Sequence, residues 1–274
     1  MKTIDYYQYW EAFIDQWHKW KNKECREAPN EWSNPDDLPL YNNKEAKDMS
    51  SLYIPEPWWG NDGRQPLHCV VVNFNPGEGG EEQTWENIPY KSSYTDDIVN
   101  ANNVLLFTKC WHWSKRAKPI LKIVKEKEEE NIKEWLGLQH CLSVELIPWH
   151  TKTVTPSYWD YLKANISKVY EHSICFAANE ARRIDNQMLN SVVILKMSGQ
   201  NTKTLLKYLD EAKISSSKVK PIQSVNSGKG KYMEFTINDL PDIRFISIWG
   251  ARSRNDFPSN EYMKEIFEKI FNHI

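Results

Sequence analysis

The sequence predicts an α/β fold: a three-layer α/β/α arrangement around a central, mostly parallel four-stranded sheet. Three observations point there. Four short, continuous apolar runs stand at residues 69–74, 141–147, 192–197 and 245–249. Helical patterns separate them, at 99–112, 117–136, 156–171 and 201–213. Strands that are apolar on both sides need cover on both faces, and parallel sheets between helix layers supply it.

Each element has its own warrant. Within residues 3–21, Ile4, Tyr7, Trp10, Phe13, Ile14 and Trp17 recur at helical spacing, which predicts an amphipathic helix. Residues 28–66 are rich in Pro, Asn and Asp and carry the run PEPWWGNDG. Trp58 and Trp59 mark that stretch as ordered loop, since disordered segments are poor in aromatics. Residues 1–66 thus read as an N-terminal extension packed on the core, and 67–274 as the α/β domain. KEKEEEN, at 125–131, is the solvated face of a helix. Residues 173–177 suggest a weaker fifth strand. SVNSGKGKYMEFTI, at 224–237, has the form of a hairpin with a Gly-rich turn. The last segment, 259–274, gathers Tyr262, Ile266, Phe267, Ile270 and Phe271 on one helix face. No internal repeat is visible.

Composition narrows the class. The 274 residues carry a formal net charge of −2, which argues against a bulk nucleic-acid coat but not against a local phosphate-binding patch. Thirteen Trp exceed what a core of this size needs, so some are expected to form flat walls that stack on bases or sugars. The five cysteines include no C-x-x-C pair, so a clustered zinc or iron–sulfur site is not expected; no cofactor is expected either. Cys69, Cys141 and Cys175 fall in or beside apolar runs as buried thiols. Scattered thiols, no apolar leader and no membrane-length stretch predict a cytoplasmic location, with no membrane association and no obligate protein partner.

In open α/β sheets, ligands bind beyond the carboxyl ends of the strands. The first strand leads into Asn75-Pro76-Gly77-Glu78-Gly79-Gly80. The second carries Glu145 near its end and then Pro148-Trp149-His150. The third leads into Ser198-Gly199-Gln200-Asn201, the last into Trp249-Gly250-Ala251-Arg252-Ser253-Arg254. Three of these loops contain glycine, which lets a ligand approach the backbone.

Two of these strand ends carry a resemblance. VVVNFNPG resembles the first motif of the uracil-DNA glycosylase superfamily, in its mismatch-specific and single-strand-selective branches, where an apolar strand ends in Asn-Pro-Gly. IWGARSRNDFP resembles the second motif region of the thymine-DNA glycosylases, and the order of the two agrees. The resemblance spans residues 68–274 and implies the fold above, with DNA as partner and release of a flipped base as activity. It implies that Asn75 holds the attacking water, that Gly77 leaves room over the base, and that Arg252, with Ser253 and Arg254 beside it, fills the gap in the duplex or holds a phosphate. Bland readings stand beside these: Asn75 as a turn cap before Pro76, and Arg252 as an exposed loop residue. Tyr90 is the preferred stacking partner over Trp85 and Phe107. Lys196, Lys203, Lys218, Lys220, Lys229 and Lys231 form either a phosphate-tracking edge or a solvated face.

Two departures shape the expected chemistry. The His-Pro-Ser common in relatives is missing from the last loop, and His150 follows a different strand. Uracil-specific relatives tend to place Asn near Glu145. An amide donates and accepts, whereas a carboxylate only accepts. Glu145 would repel the O4 of uracil and receive the N4 amino group of cytosine. A roomy pocket then suggests a cytosine modified at C5, as some phages carry, with an antiviral role. The structural alternative is that Glu145 pairs with a nearby Lys or Arg. Housekeeping uracil repair, a non-catalytic nucleic-acid binder and a nucleotide-binding enzyme are the rival functions. No G-x-x-x-x-G-K-[ST], G-x-G-x-x-G, G-x-S-x-G or H-E-x-x-H motif supports the last or another hydrolase.

Overall fold

The computed structural model of the protein describes residues 5–21, 32, 57–61, 63, 66–74, 118–128, 140–149, 156–250 and 257–271. Within them the chain is α/β. The elements are α1 (Tyr6–Lys21), β1 (Trp58–Gly60), β2 (Cys69–Asn73), α2 (Lys118–Glu128), β3 (Cys141–Glu145), α3 (Pro156–Ala164) and α4 (Ile166–Lys168). A π-helical stretch, Val169–Ile174, runs into α5 (Cys175–Ala181). Then come β4 (Val192–Leu195), α6 (Gly199–Glu211), β5 (Ser217–Val219), β6 (Gln223–Val225), β7 (Gly230–Ile237), β8 (Leu240–Gly250) and α7 (Asn260–Phe271).

One sheet of eight strands organises these elements, in the order β1-β3-β2-β4-β8-β7-β5, with β6 also on β7. The ladders β2–β3, β2–β4 and β4–β8 are parallel. The ladders β1–β3, β5–β7, β6–β7 and β7–β8 are antiparallel. The sheet is therefore mixed and wider than four mostly parallel strands. The difference has a local cause. β7 and β8 are joined by too few residues for a crossover, so they must pair antiparallel. β1 arises inside the Trp-rich stretch expected to be loop, and adds an antiparallel edge to β3. The apolar run at 173–177 is helical, not a fifth strand. Periodicity alone does not separate so short a run from a buried helix segment.

Helices cover both faces of β8, which serves as a ruler because successive side chains alternate in direction. Ser247 Oγ meets Thr202 Oγ1 of α6 at 2.5 Å. Arg244, an odd number of residues away, donates to the Ile270 carbonyl of α7 at 3.2 Å and lies over the Phe271 ring. On the α6 face, Val72, Leu195 and Phe245 share a small apolar cavity with Leu205 and Leu206.

The N-terminal helix belongs to this core. Trp10 and Trp17 are fully buried. The Tyr7 hydroxyl lies 3.0 Å from Glu180 Oε2 and 3.2 Å from the Asn61 carbonyl. Arg183 donates to Glu180 Oε2 and, at 2.6 Å, to the Gly63 carbonyl. Asn179 reaches the other Glu180 oxygen at 3.3 Å. Burial, followed by the Glu180 charge, pushes the Tyr7 phenol well above its ordinary range. This network ties α1, the exit of β1 and α5 into one unit.

Candidate functional site

The carboxyl ends of β2, β3 and β4 bring together four buried polar residues. β2 is a run of three valines between Cys69 and Asn73, and β-branched side chains fit a pleated, fully covered surface. Asn73 ends it directly opposite Glu145, the last residue of β3. Ser143, two residues before Glu145, shares the same face. Val71 pairs with Ile194, so Asn73 and Lys196, each two residues on, also share that face. The Lys196 amide donates to the Val72 carbonyl at 2.9 Å and keeps the two chains abreast. Exposure is 3 % for Asn73, 2 % for Ser143, 0 % for Glu145 and 4 % for Lys196.

Their bonding is specific. Asn73 Nδ2 donates to Ser143 Oγ at 2.9 Å. Asn73 Oδ1 is buried and accepts no hydrogen bond. The strand end beyond is clamped: Leu146 N donates to the Asn73 carbonyl at 2.9 Å, and Ile147 N to the Phe74 carbonyl at 3.2 Å. The Tyr158 hydroxyl donates to that same Phe74 carbonyl at 2.7 Å. Burial, then the Glu145 charge, holds the Tyr158 phenol well above its usual range, so it stays a donor. A carboxylate, an ammonium and an amide in one dry row are expensive as core filler. Sites that recognise a polar ligand are where such groups are kept.

The sequence-predicted site residues divide into two groups. Asn75, Gly77, Tyr90, His150, Arg252, Ser253 and Arg254 lie outside the described residues. Glu145 and Trp149 are described. Glu145 ends β3 as its position after the apolar run implied. Trp149 is 2 % exposed, donates from Nε1 to the Tyr161 hydroxyl at 2.5 Å, and packs against Phe13 of α1, so its indole lies between α1 and α3. Lys196 is placed differently from a surface phosphate-tracking edge, because it is buried. Lys220 pairs with Glu234 at 3.1 Å, and Lys229 lies over Tyr262.

Asn73 is the functional candidate that sequence reasoning missed, and Lys196 one it assigned to a surface. The available signal was a polar residue closing VVVN and a charge inside VVILKM, each breaking an otherwise apolar run. The described histidines lie elsewhere. His68 and His140 face each other at 5.1 Å near the starts of β2 and β3, and burial then the His140 charge push His68 down to about 4. His172 stacks on Tyr9 at 3.8 Å. Among the described residues no group of three or more His, Cys, Asp or Glu could hold a metal ion. No described helix is long and apolar enough to cross a membrane. No protein-family model, no curated protein and no solved structure matches this chain.

Proposed function

We propose that the protein is a cytoplasmic DNA N-glycosylase that releases a flipped, amino-bearing pyrimidine and leaves an abasic site. The carrying observation is Glu145: a fully buried carboxyl group at the carboxyl end of a parallel strand, one strand from the run that leads into Asn75-Pro76-Gly77. The glycosidic bond between N1 and C1′ breaks with its electron pair leaving on the base. Water held by Asn75 adds to C1′ and loses a proton. The base leaves protonated in place of the bond it lost. Glu145 takes no part in bond breaking. It accepts the N4 amino group and rejects the O4 of uracil, because two oxygen lone pairs facing each other repel. Flipping itself costs a few kcal/mol, roughly, and the buried polar contacts help to offset it.

The preferred substrate is a cytosine carrying a substituent at C5, with Gly77 leaving room for it, which would fit a role against phages whose DNA is so modified. Three DNAs separate the readings: a uracil-containing duplex, an unmodified duplex, and phage genomic DNA with C5-modified cytosine. Free base from the last, reduced about tenfold or more by Glu145→Gln, is the expected result. Release confined to uracil, or release unaffected by that substitution, contradicts it.

A further inference from the structure

We propose that Asn73 is a second, specificity-determining acceptor for the exocyclic amino group of the base, working beside Glu145; this rests on the glycosylase reading. Asn73 and Glu145 are register partners on one face of a parallel ladder. Adjacent strands lie about 4.8 Å apart, so the two side chains start side by side. The Asn73 amide has one end occupied, since Nδ2 donates to Ser143 Oγ at 2.9 Å. Its other end, Oδ1, is buried and accepts no hydrogen bond. A buried acceptor without a donor is costly, and proteins retain one where something else supplies the hydrogen.

Two acceptors abreast call for a ligand with two hydrogens at one point. An exocyclic amino group has two N–H bonds in the plane of its ring, one for each acceptor. A keto oxygen has none. The pair therefore selects cytosine-type over uracil-type pyrimidines more sharply than one carboxylate does. A water on Asn73 Oδ1 would fill the acceptor without discriminating between bases. The opposite amide orientation, with Ser143 donating to Oδ1, would present Nδ2 and favour a keto base.

Two variants of the full chain test this. Asn73→Leu removes both ends of the amide. Asn73→Asp keeps an acceptor, with Lys196 abreast to offset the added charge. The first readout is the ratio of cytosine-type to uracil release in single turnover from otherwise identical duplexes. The second is the affinity of the chain for free cytosine against free uracil by titration calorimetry. The expected result is a wild-type preference for the amino base that Asn73→Leu lowers by about fivefold or more and Asn73→Asp largely keeps. A preference unchanged in Asn73→Leu, an equal loss for both bases, or a preference for uracil overturns the inference. If no DNA yields base while cytosine binding still depends on Asn73, the glycosylase reading fails and the acceptor role stands. If base is released and Asn73 leaves the ratio unmoved, the reading stands and the acceptor role fails. A wild-type chain that neither releases nor binds either base removes both.

Discussion

Among the described residues, the polar cluster around Glu180 is closed and the one around Asn73 is not. Around Glu180, Tyr7, Arg183 and Asn179 supply donors to both carboxylate oxygens. Arg183 extends the network to the Gly63 carbonyl. At the strand ends, Asn73 presents a buried oxygen that accepts nothing. Both hold a buried acidic residue, Glu180 in the first and Glu145 in the second. The first has the form of a rivet, joining α1 to α5. The second has the form of a half-made interaction. A satisfied network rigidifies a core, whereas an unsatisfied one needs a reason outside the fold.

The sharpest way to break the comparison is to empty the rivet. Glu180→Ala removes the carboxylate that Tyr7 and Arg183 share, leaving them only the Asn61 and Gly63 carbonyls, and should cost about 3 kcal/mol of stability. Urea unfolding measures it, with the ratio of cytosine to uracil release unchanged in protein that remains folded. A smaller loss, of less than about 1 kcal/mol, would show that the network is not holding α1.

At the open cluster the effect should fall on chemistry instead. Glu145→Gln should weaken recognition of an amino-bearing base by about 2 kcal/mol, seen in single-turnover rates at subsaturating protein, with little change in the unfolding midpoint. Asn73→Leu sharpens the contrast. It removes an acceptor that accepts nothing together with the one bond to Ser143, so stability should stay within about 1 kcal/mol of wild type while the base preference falls.

Tyr7→Phe should cost about 1 kcal/mol near neutral pH. Its alkaline behaviour carries more information. The Tyr7 phenol is raised in the folded state, so the stability it contributes is fully present below the unfolded value of about 10 and is lost as pH rises beyond it. The gap between wild type and Tyr7→Phe should therefore narrow between pH 9 and pH 11 in urea titrations. A constant gap would contradict the buried environment of that hydroxyl.

The smallest effect belongs to a surface pair. Arg182 donates to Asp242 through two nitrogens, at 2.6 and 2.9 Å, and the guanidinium holds the carboxyl below its usual range. Its stabilisation is present above the unfolded carboxylate value of about 4 and fades as pH falls through the lower folded one. Both partners are well exposed, so Asp242→Asn should cost a few tenths of a kcal/mol, roughly, at pH 7.

The sequence made the strand cores legible because short runs dominated by Val, Ile and Leu must be covered on both faces. The α/β class and the ends of β2, β3 and β4 followed from that. The width and mixed direction of the sheet did not. β1 is three residues long and is specified by its partner β3, not by its own pattern. The helix at 173–177 was hidden because Ser173-Ile174-Cys175-Phe176-Ala177 suits either structure locally. Glu145 could be read as a candidate from its place near the end of an apolar run. Asn73 could not, because its meaning lies in the register with Glu145 and in the bond to Ser143. The contacts of Trp149 with Phe13 and Tyr161 were likewise not legible, because they join segments far apart in the chain.

The most direct measurement mixes excess protein with DNA whose cytosines carry a C5 substituent, and weighs the small-molecule products by mass spectrometry within one turnover. Intact modified cytosine base is expected, with one abasic site formed per base liberated, and far less from the Glu145→Gln chain. DNA that is bound yet keeps every base attached, beside a uracil control that is equally untouched, would contradict it.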